Sequence, residues 1–145
     1  MPNSPFKLED PLTPSLTPLE QAVMNNILKG EHPILVALRK QLEGATIFSR
    51  EFSGVGFFTN FKFSPNAPPL PEPIKGLAFG DVEADIKGLQ HGAGFVLFVK
   101  NGFLLMLEGY TYDEPWPMEA DIFKLKYHEP DRKKLFEYLD EKLKG

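Results

Sequence analysis

Three acidic residues, Asp81, Glu83 and Asp85, alternate with apolar residues in the segment FGDVEADI. In a strand, every second side chain lies on the same face, so these carboxylates are expected to form a row. Carboxylates suit Mg²⁺ or Ca²⁺, but the row spans roughly 13 Å, and one ion cannot contact all three. A solvated strand face is the simplest interpretation. An acidic protein-binding patch and a metal or acid–base site are the alternatives.

The segment LEGYTYDEPWP, which ends at residue 117, mixes aromatic and acidic side chains. They are Glu108, Tyr110, Tyr112, Asp113, Glu114 and Trp116. Such a mixture suits a sugar or a cationic ligand, and it equally suits a hot spot for a protein partner. The simpler interpretation is a proline-stiffened loop whose tryptophan closes the end of the core. If the protein has one functional surface, we place it here, with the Asp81–Asp85 row and His91 as neighbours.

His91 lies between glycines in GLQHGAGF, where the chain is expected to turn. A histidine beside carboxylates can titrate near neutral pH. The segment faintly resembles an esterase oxyanion loop, but the Gly-x-Ser-x-Gly nucleophile motif is missing from the sequence. His32 and His128 are interpreted as cap or edge residues. We therefore assign no catalytic residue, no cofactor and no metal ligand.

Composition bounds the class of protein. The chain has 145 residues, which fits one domain, and it has no cysteine, which excludes disulfides and thiolate chemistry. The first residues do not form a secretory signal, and the apolar runs are too short to cross a bilayer. The sequence therefore predicts a soluble cytoplasmic protein without a membrane partner.

The charge is unevenly distributed. The net charge is −4, but residues 79–123 hold eight acidic and two basic residues, a local charge of −6. An acidic surface disfavours nucleic acid, whose phosphates need basic groups. It permits a basic protein partner.

The pattern of elements predicts an α+β fold. Residues 1–16 are proline-rich and are interpreted as an extended or disordered tail, and 17–145 as a single domain. Thr17, Pro18 and Glu20 predict a capped helix, and a second helix from Pro33 completes an N-terminal helical hairpin. About six strands follow, with no helix between them, so the sheet should be antiparallel. A C-terminal helix opens at Pro130.

A β-hairpin is the clearest element of the sheet. Asn101 and Gly102 form a type I′ turn signal between two apolar runs, and Lys100 should pair with Phe103. Because both arms are almost continuously apolar, we expect the hairpin to lie at the centre of the sheet and to be covered on both faces.

The segments SREFSGVGFFTNF, HGAGFVLFVKNG and LEGYTYDEPWP resemble a family of small uncharacterised bacterial proteins. The resemblance covers most of the chain after the tail. It implies no activity, cofactor or site residue.

The sequence is compatible with two functions. The first is a non-catalytic binding module that recognises a basic protein partner through the acidic surface and the 108–117 loop. The alternative is a small enzyme or ligand binder that uses the carboxylates and His91 in a pocket beside the central hairpin. A homo-oligomer is a further possibility, since a sheet with two apolar faces can be covered by a second copy.

Overall fold

Two helices begin and end at residues that the sequence marks. The computed structural model describes residues 16–64, 66–71, 74, 76–117, 119–128 and 131–144. Helix α1 spans Pro18–Ile27 and α2 spans Pro33–Glu43. The Thr17 hydroxyl accepts a hydrogen bond from the Glu20 N–H at 3.2 Å, and the Glu20 carboxylate accepts from the Thr17 N–H at 2.8 Å. This confirms the predicted capping box.

Seven strands and a last helix follow. The strands are β1 (Thr46–Phe52), β2 (Gly56–Lys62), β3 (Gly76–Phe79), β4 (Val82–Ile86), β5 (Ala93–Lys100), β6 (Phe103–Thr111) and β7 (Phe123–Tyr127), and the helix is α3 (Asp131–Lys144). Neighbouring strands run antiparallel in the order β1-β2-β6-β5-β4-β7, and β3 also pairs with β5. The α+β prediction is confirmed. The predicted tail before Leu16 and the helix start at Pro130 lie outside the described residues.

The count of seven strands corrects the expected six, because the strand that was predicted to carry the alternating acids is interrupted. Strand β3 pairs with the end of β5, and β4 pairs with its beginning. Gly80 separates them at a close approach of two backbones, where a Cβ atom would collide with the Phe95 carbonyl oxygen. Glycine therefore permits the two strands to follow β5 with a break between them.

The central hairpin forms as predicted. Asn101 and Gly102 have φ angles of 54° and 84°, and Lys100 lies opposite Phe103. Strands β5 and β6 occupy the middle of the sheet.

One face of the sheet forms the core. Phe57, Leu97 and Leu107 on the central strands are buried in the same cluster as Ile27 of α1 and Leu139 of α3. Within the described part of the chain, the helices contribute to this core only. The prediction that both faces of the hairpin are covered is therefore not met.

The opposite face is called the open face below. Strand register and alternation place Phe58, Val96, Phe98 and Met106 there, and all four side chains are only partly buried. Leu105, beside them, is 39% exposed. The central strands therefore present apolar side chains to solvent on the side away from the helices.

Candidate functional site

The predicted carboxylate row is divided between two environments. Asp81 is 3% exposed, whereas Glu83 is half-buried and Asp85 is exposed on the open face. The strand break after Gly80 removes Asp81 from the row. Lys126 and Lys124 of β7 lie opposite Glu83 and Asp85. The row is therefore not a continuous acidic surface.

Asp81 binds Arg132 of α3. Both carboxylate oxygens accept from Nη1 of Arg132 at 3.2 Å, and Nη1 also donates to the Ile27 carbonyl oxygen at 3.1 Å. The guanidinium carbon lies 4.7 Å from the centre of the Tyr127 ring. Burial raises the pKa of Asp81 above its ordinary value, and the Arg132 charge opposes that rise. This arrangement joins α3 to the end of α1, which is a structural role.

A shallow cleft of about 220 Å³ lies beside the strand break, and it is called the Tyr110 cleft below. Val82 and Phe95 contribute apolar side chains to its lining, and the other side chains are polar. The polar side chains are Asp81, Glu83, Tyr110, Tyr112, His128 and Asp131. The two tyrosine rings meet edge to face with centroids 5.6 Å apart. Burial is the main cause that raises the pKa of Tyr110 to about 12, and the neighbouring Tyr112 adds to the rise. The Tyr110 hydroxyl therefore stays protonated at neutral pH.

The cleft collects some predicted residues and leaves others out. Four of the nine predicted site residues line it, and two residues that the sequence analysis did not select, His128 and Asp131, complete it. His128 Nδ1 lies 2.6 Å from the Asp131 carboxylate. Among the described lining residues, neither His91 nor Glu108 is present. Glu108 is half-buried on the open face, opposite Val96.

His91 lies at an exposed turn, where its backbone is held by Glu114. The Glu114 carboxylate accepts from the Gln90 N–H at 2.8 Å and from the His91 N–H at 2.9 Å. These two hydrogen bonds lower the pKa of Glu114 below its ordinary value. They fix the loop after β6 to the turn after β4.

The same loop is also fixed to the turn between β1 and β2. The Trp116 N–H donates to the Gly54 carbonyl oxygen at 2.9 Å, and the Thr111 N–H donates to that of Val55 at 2.9 Å. The Thr111 hydroxyl donates to the carbonyl oxygens of Val55 and Glu114. Asp113 is exposed with a φ of 64°. Residues 111–117 therefore have defined partners on two neighbouring turns.

A larger groove of about 630 Å³ lies under this loop, and it is called the Trp116 groove below. Its walls are apolar and its rim is mostly acidic. The walls are Pro115, Trp116, Pro117 and Ile122, and the charged residues are Glu114, Glu119, Asp121 and Lys87. Ile122 is 57% exposed. The groove therefore combines an aromatic and proline surface with three carboxylates and one ammonium group.

Trp116 is 7% exposed, and its ring meets that of Phe57 edge to face at 5.0 Å. The predicted core-closing role of this tryptophan agrees with that packing. Among the side chains that the structure describes, Trp116 Nε1 is the buried polar atom for which no hydrogen-bond partner is found. Buried donors without an acceptor are uncommon in folded proteins, because the lost hydrogen bond to water costs about 1–3 kcal/mol.

Sequence reasoning did not select Glu119 and Asp121, although both belong to the acidic segment that it identified. Their proximity to Trp116 depends on how the chain returns from the loop to β7, and no spacing rule predicts that return. Among the described residues, no group of three or more histidine, aspartate or glutamate side chains is arranged to hold a metal ion. None of the described helices is long and apolar enough to cross a membrane.

Compared with known proteins, the chain matches no family model and shows no significant similarity to a curated protein or a solved structure. The resemblance to a bacterial family therefore stays a prediction.

Proposed function

We propose that this protein is a non-catalytic binding module that recognises a basic, extended segment of a partner protein in the Trp116 groove. One observation carries the proposal. The only indole of the chain has a buried N–H for which no acceptor is found in the described part of the structure, and its ring forms a wall of a groove with a mostly acidic rim. An incoming backbone carbonyl oxygen supplies the missing acceptor.

The chemistry of the groove fits the side chains of arginine and lysine. Their aliphatic stems pack on the rings of Pro115, Trp116 and Pro117, while the cationic heads meet Glu119 and Asp121 on the exposed rim. Charge attraction of this kind accelerates association and selects basic partners. Nε1 is out of contact with solvent, so the proposal requires that wall side chains of the groove, such as the exposed Ile122, shift when the segment binds.

The loop is held in place before any partner arrives. Glu114 binds two backbone N–H groups of the 87–92 turn, and the Trp116 N–H binds Gly54. A binding surface that is already ordered loses less conformational entropy on association, so more of the contact energy is retained as affinity. This ordered backbone supports the proposal, because only side chains of the groove have to move when the segment binds.

The alternative, a small enzyme that uses carboxylates with His91, has less geometric support. Asp81 and Glu83 line the Tyr110 cleft, but Asp81 is engaged by Arg132, and His91 lies outside the cleft at an exposed turn. General acid–base work needs groups within hydrogen-bond reach of one substrate.

Intrinsic fluorescence tests the proposal directly, because Trp116 is the single tryptophan. An arginine–proline repeat peptide is expected to change the emission saturably, and its glutamine–proline counterpart is not. Rising ionic strength should weaken binding, because the rim charges are screened. Equal binding of both peptides, or no response to either, contradicts the proposal.

Matched variants separate the rim from the indole. Glu119→Gln and Asp121→Asn are each expected to weaken binding about twofold to fivefold, whereas Glu137→Gln on the exposed side of α3 should not. Trp116→Phe keeps an aromatic wall but removes the N–H. We expect this variant to bind a labelled peptide about fivefold more weakly, which corresponds to the loss of one hydrogen bond. Fluorescence anisotropy measures the affinity.

A further inference from the structure

We propose that two copies of this chain associate through their open faces as a symmetric dimer. The surface is apolar at its centre and carries opposite charges on either side. A two-fold interface uses the same patch on both subunits, so it requires a surface that complements itself. The open face meets this requirement in its charges as well as in its apolar centre.

The apolar side chains of the open face are grouped rather than scattered. Phe58, Val96, Phe98 and Met106 are neighbours on three adjacent strands and are only partly buried. Leu105 lies at an irregularity in β6 and is exposed. Contiguous exposed apolar patches of this kind mark interaction surfaces.

A second irregularity exposes another aromatic side chain close to the patch. The pairing of β1 with β2 shifts register between Ile47 and Ser49, and the residue between them, Phe48, is 73% exposed. Phe48 and Leu105 therefore both lie where a strand carries one extra residue, next to the row that contains Asn60 and Met106.

Strand register arranges the open face in three rows across the sheet. The central row is Ser49, Asn60, Met106 and Phe98. The row two residues away on one side is Glu51, Phe58, Glu108 and Val96. Two residues away on the other side are Lys62 on β2 and Lys100 on β5. Each outer row lies roughly 7 Å from the central one.

A two-fold axis along the central row exchanges the two outer rows. Lys62 of one copy then lies over the part of the second copy between Glu51 and Glu108. Lys100 of the first copy lies over Val96 of the second, next to Glu108. The apolar central residues meet their own equivalents. Lys62, Lys100 and Glu51 are exposed, and Glu108 is half-buried, so all four are accessible for this pairing. A second copy therefore fits the open face by charge as well as by hydrophobicity.

Analytical ultracentrifugation of the full chain over a range of concentrations tests the proposal. We expect a species of twice the chain mass that dissociates on dilution. Phe98→Lys places a charge beside Met106 in the central row and is expected to give a monomer, with circular dichroism showing that the fold is retained. Lys133→Glu, on the exposed side of α3, is the matched control and should leave the dimer intact.

A charge exchange tests the register of the dimer. Lys62→Glu and Glu51→Lys are each expected to weaken the dimer, because each brings like charges together across the interface. The double variant should recover affinity, because the signs are complementary again. A monomer at every concentration, or a dimer that Phe98→Lys leaves unchanged, overturns the proposal. Failure of the double variant to recover affinity rejects the proposed register.

Discussion

At the scale of residues, one sequence pattern led to three different environments. The alternating acids share a spacing, but Asp81 is buried against Arg132, Glu83 is half-buried at the Tyr110 cleft, and Asp85 is exposed. The spacing predicts a shared face only if the strand is continuous. The break after Gly80 decides the outcome, and it arises from pairing with β5.

Glu20 shows the reverse, a residue whose local role was predicted and whose long-range role was not. Besides capping α1, it accepts hydrogen bonds from Arg50 at 2.8 and 3.0 Å and from the Thr59 hydroxyl. The side chains of Glu20 and Arg50 are fully buried. The first helix is therefore joined to β1 and β2 through a buried ion pair.

We predict that Glu20→Ala lowers the free energy of unfolding by about 3–5 kcal/mol, because it removes the carboxylate that Arg50 binds inside the protein. Urea denaturation followed by circular dichroism measures the change. Glu137→Ala, at an exposed position of α3, is the control and should stay within about 0.5 kcal/mol of the parent protein. If Glu20→Ala lowers the free energy of unfolding no more than the control does, the Glu20–Arg50 ion pair contributes little to stability.

At the scale of elements, the hairpin turn was predictable because its chemistry is local. Asn101 and Gly102 adopt the positive φ angles that a type I′ turn requires. The turn also makes a contact that the local sequence does not predict. The Gly102 carbonyl oxygen accepts from the Leu70 N–H and from the Gln41 side chain, each at 2.9 Å. The hairpin tip is therefore joined to α2 and to the loop before β3.

Gly102→Ala is expected to lower the free energy of unfolding by about 1–2 kcal/mol. The φ of 84° is unfavourable for alanine, and the added Cβ would lie 3.2 Å from the Leu70 nitrogen and the Pro69 Cβ. Gly76→Ala is the matched control, because its Cβ would meet its nearest atom at 3.6 Å and its φ is not positive. The comparison uses chemical denaturation, and equal losses for the two variants would contradict the assigned role of the turn.

At the scale of the whole molecule, the two proposed surfaces share no residue. The Trp116 groove is built from turns and loops at one end of the sheet, and the proposed dimer surface is built from the strands of the open face. The dimer should therefore present two independent grooves, which would allow a partner with two basic segments to bind both copies.

We predict that the two functions separate by mutation. Phe98→Lys should abolish the dimer and change the affinity for the arginine–proline peptide by no more than about twofold, because distant sites act additively. Glu119→Gln should lower the affinity for the peptide and leave the sedimentation profile unchanged. Both properties are measured on each variant. A peptide affinity that falls together with the dimer would show that the groove depends on the second copy.

By itself, the sequence determined the α+β class, the capped helices, the central hairpin with its turn and the acidic character of the middle segment. Each follows from interactions between residues that are close in the chain, such as Thr17 with Glu20 and Asn101 with Gly102. Tertiary structure alone decided which face stayed open, where the third strand broke and which acids approach Trp116. Those features depend on which distant segments meet, and neither residue type nor spacing along the chain specifies that.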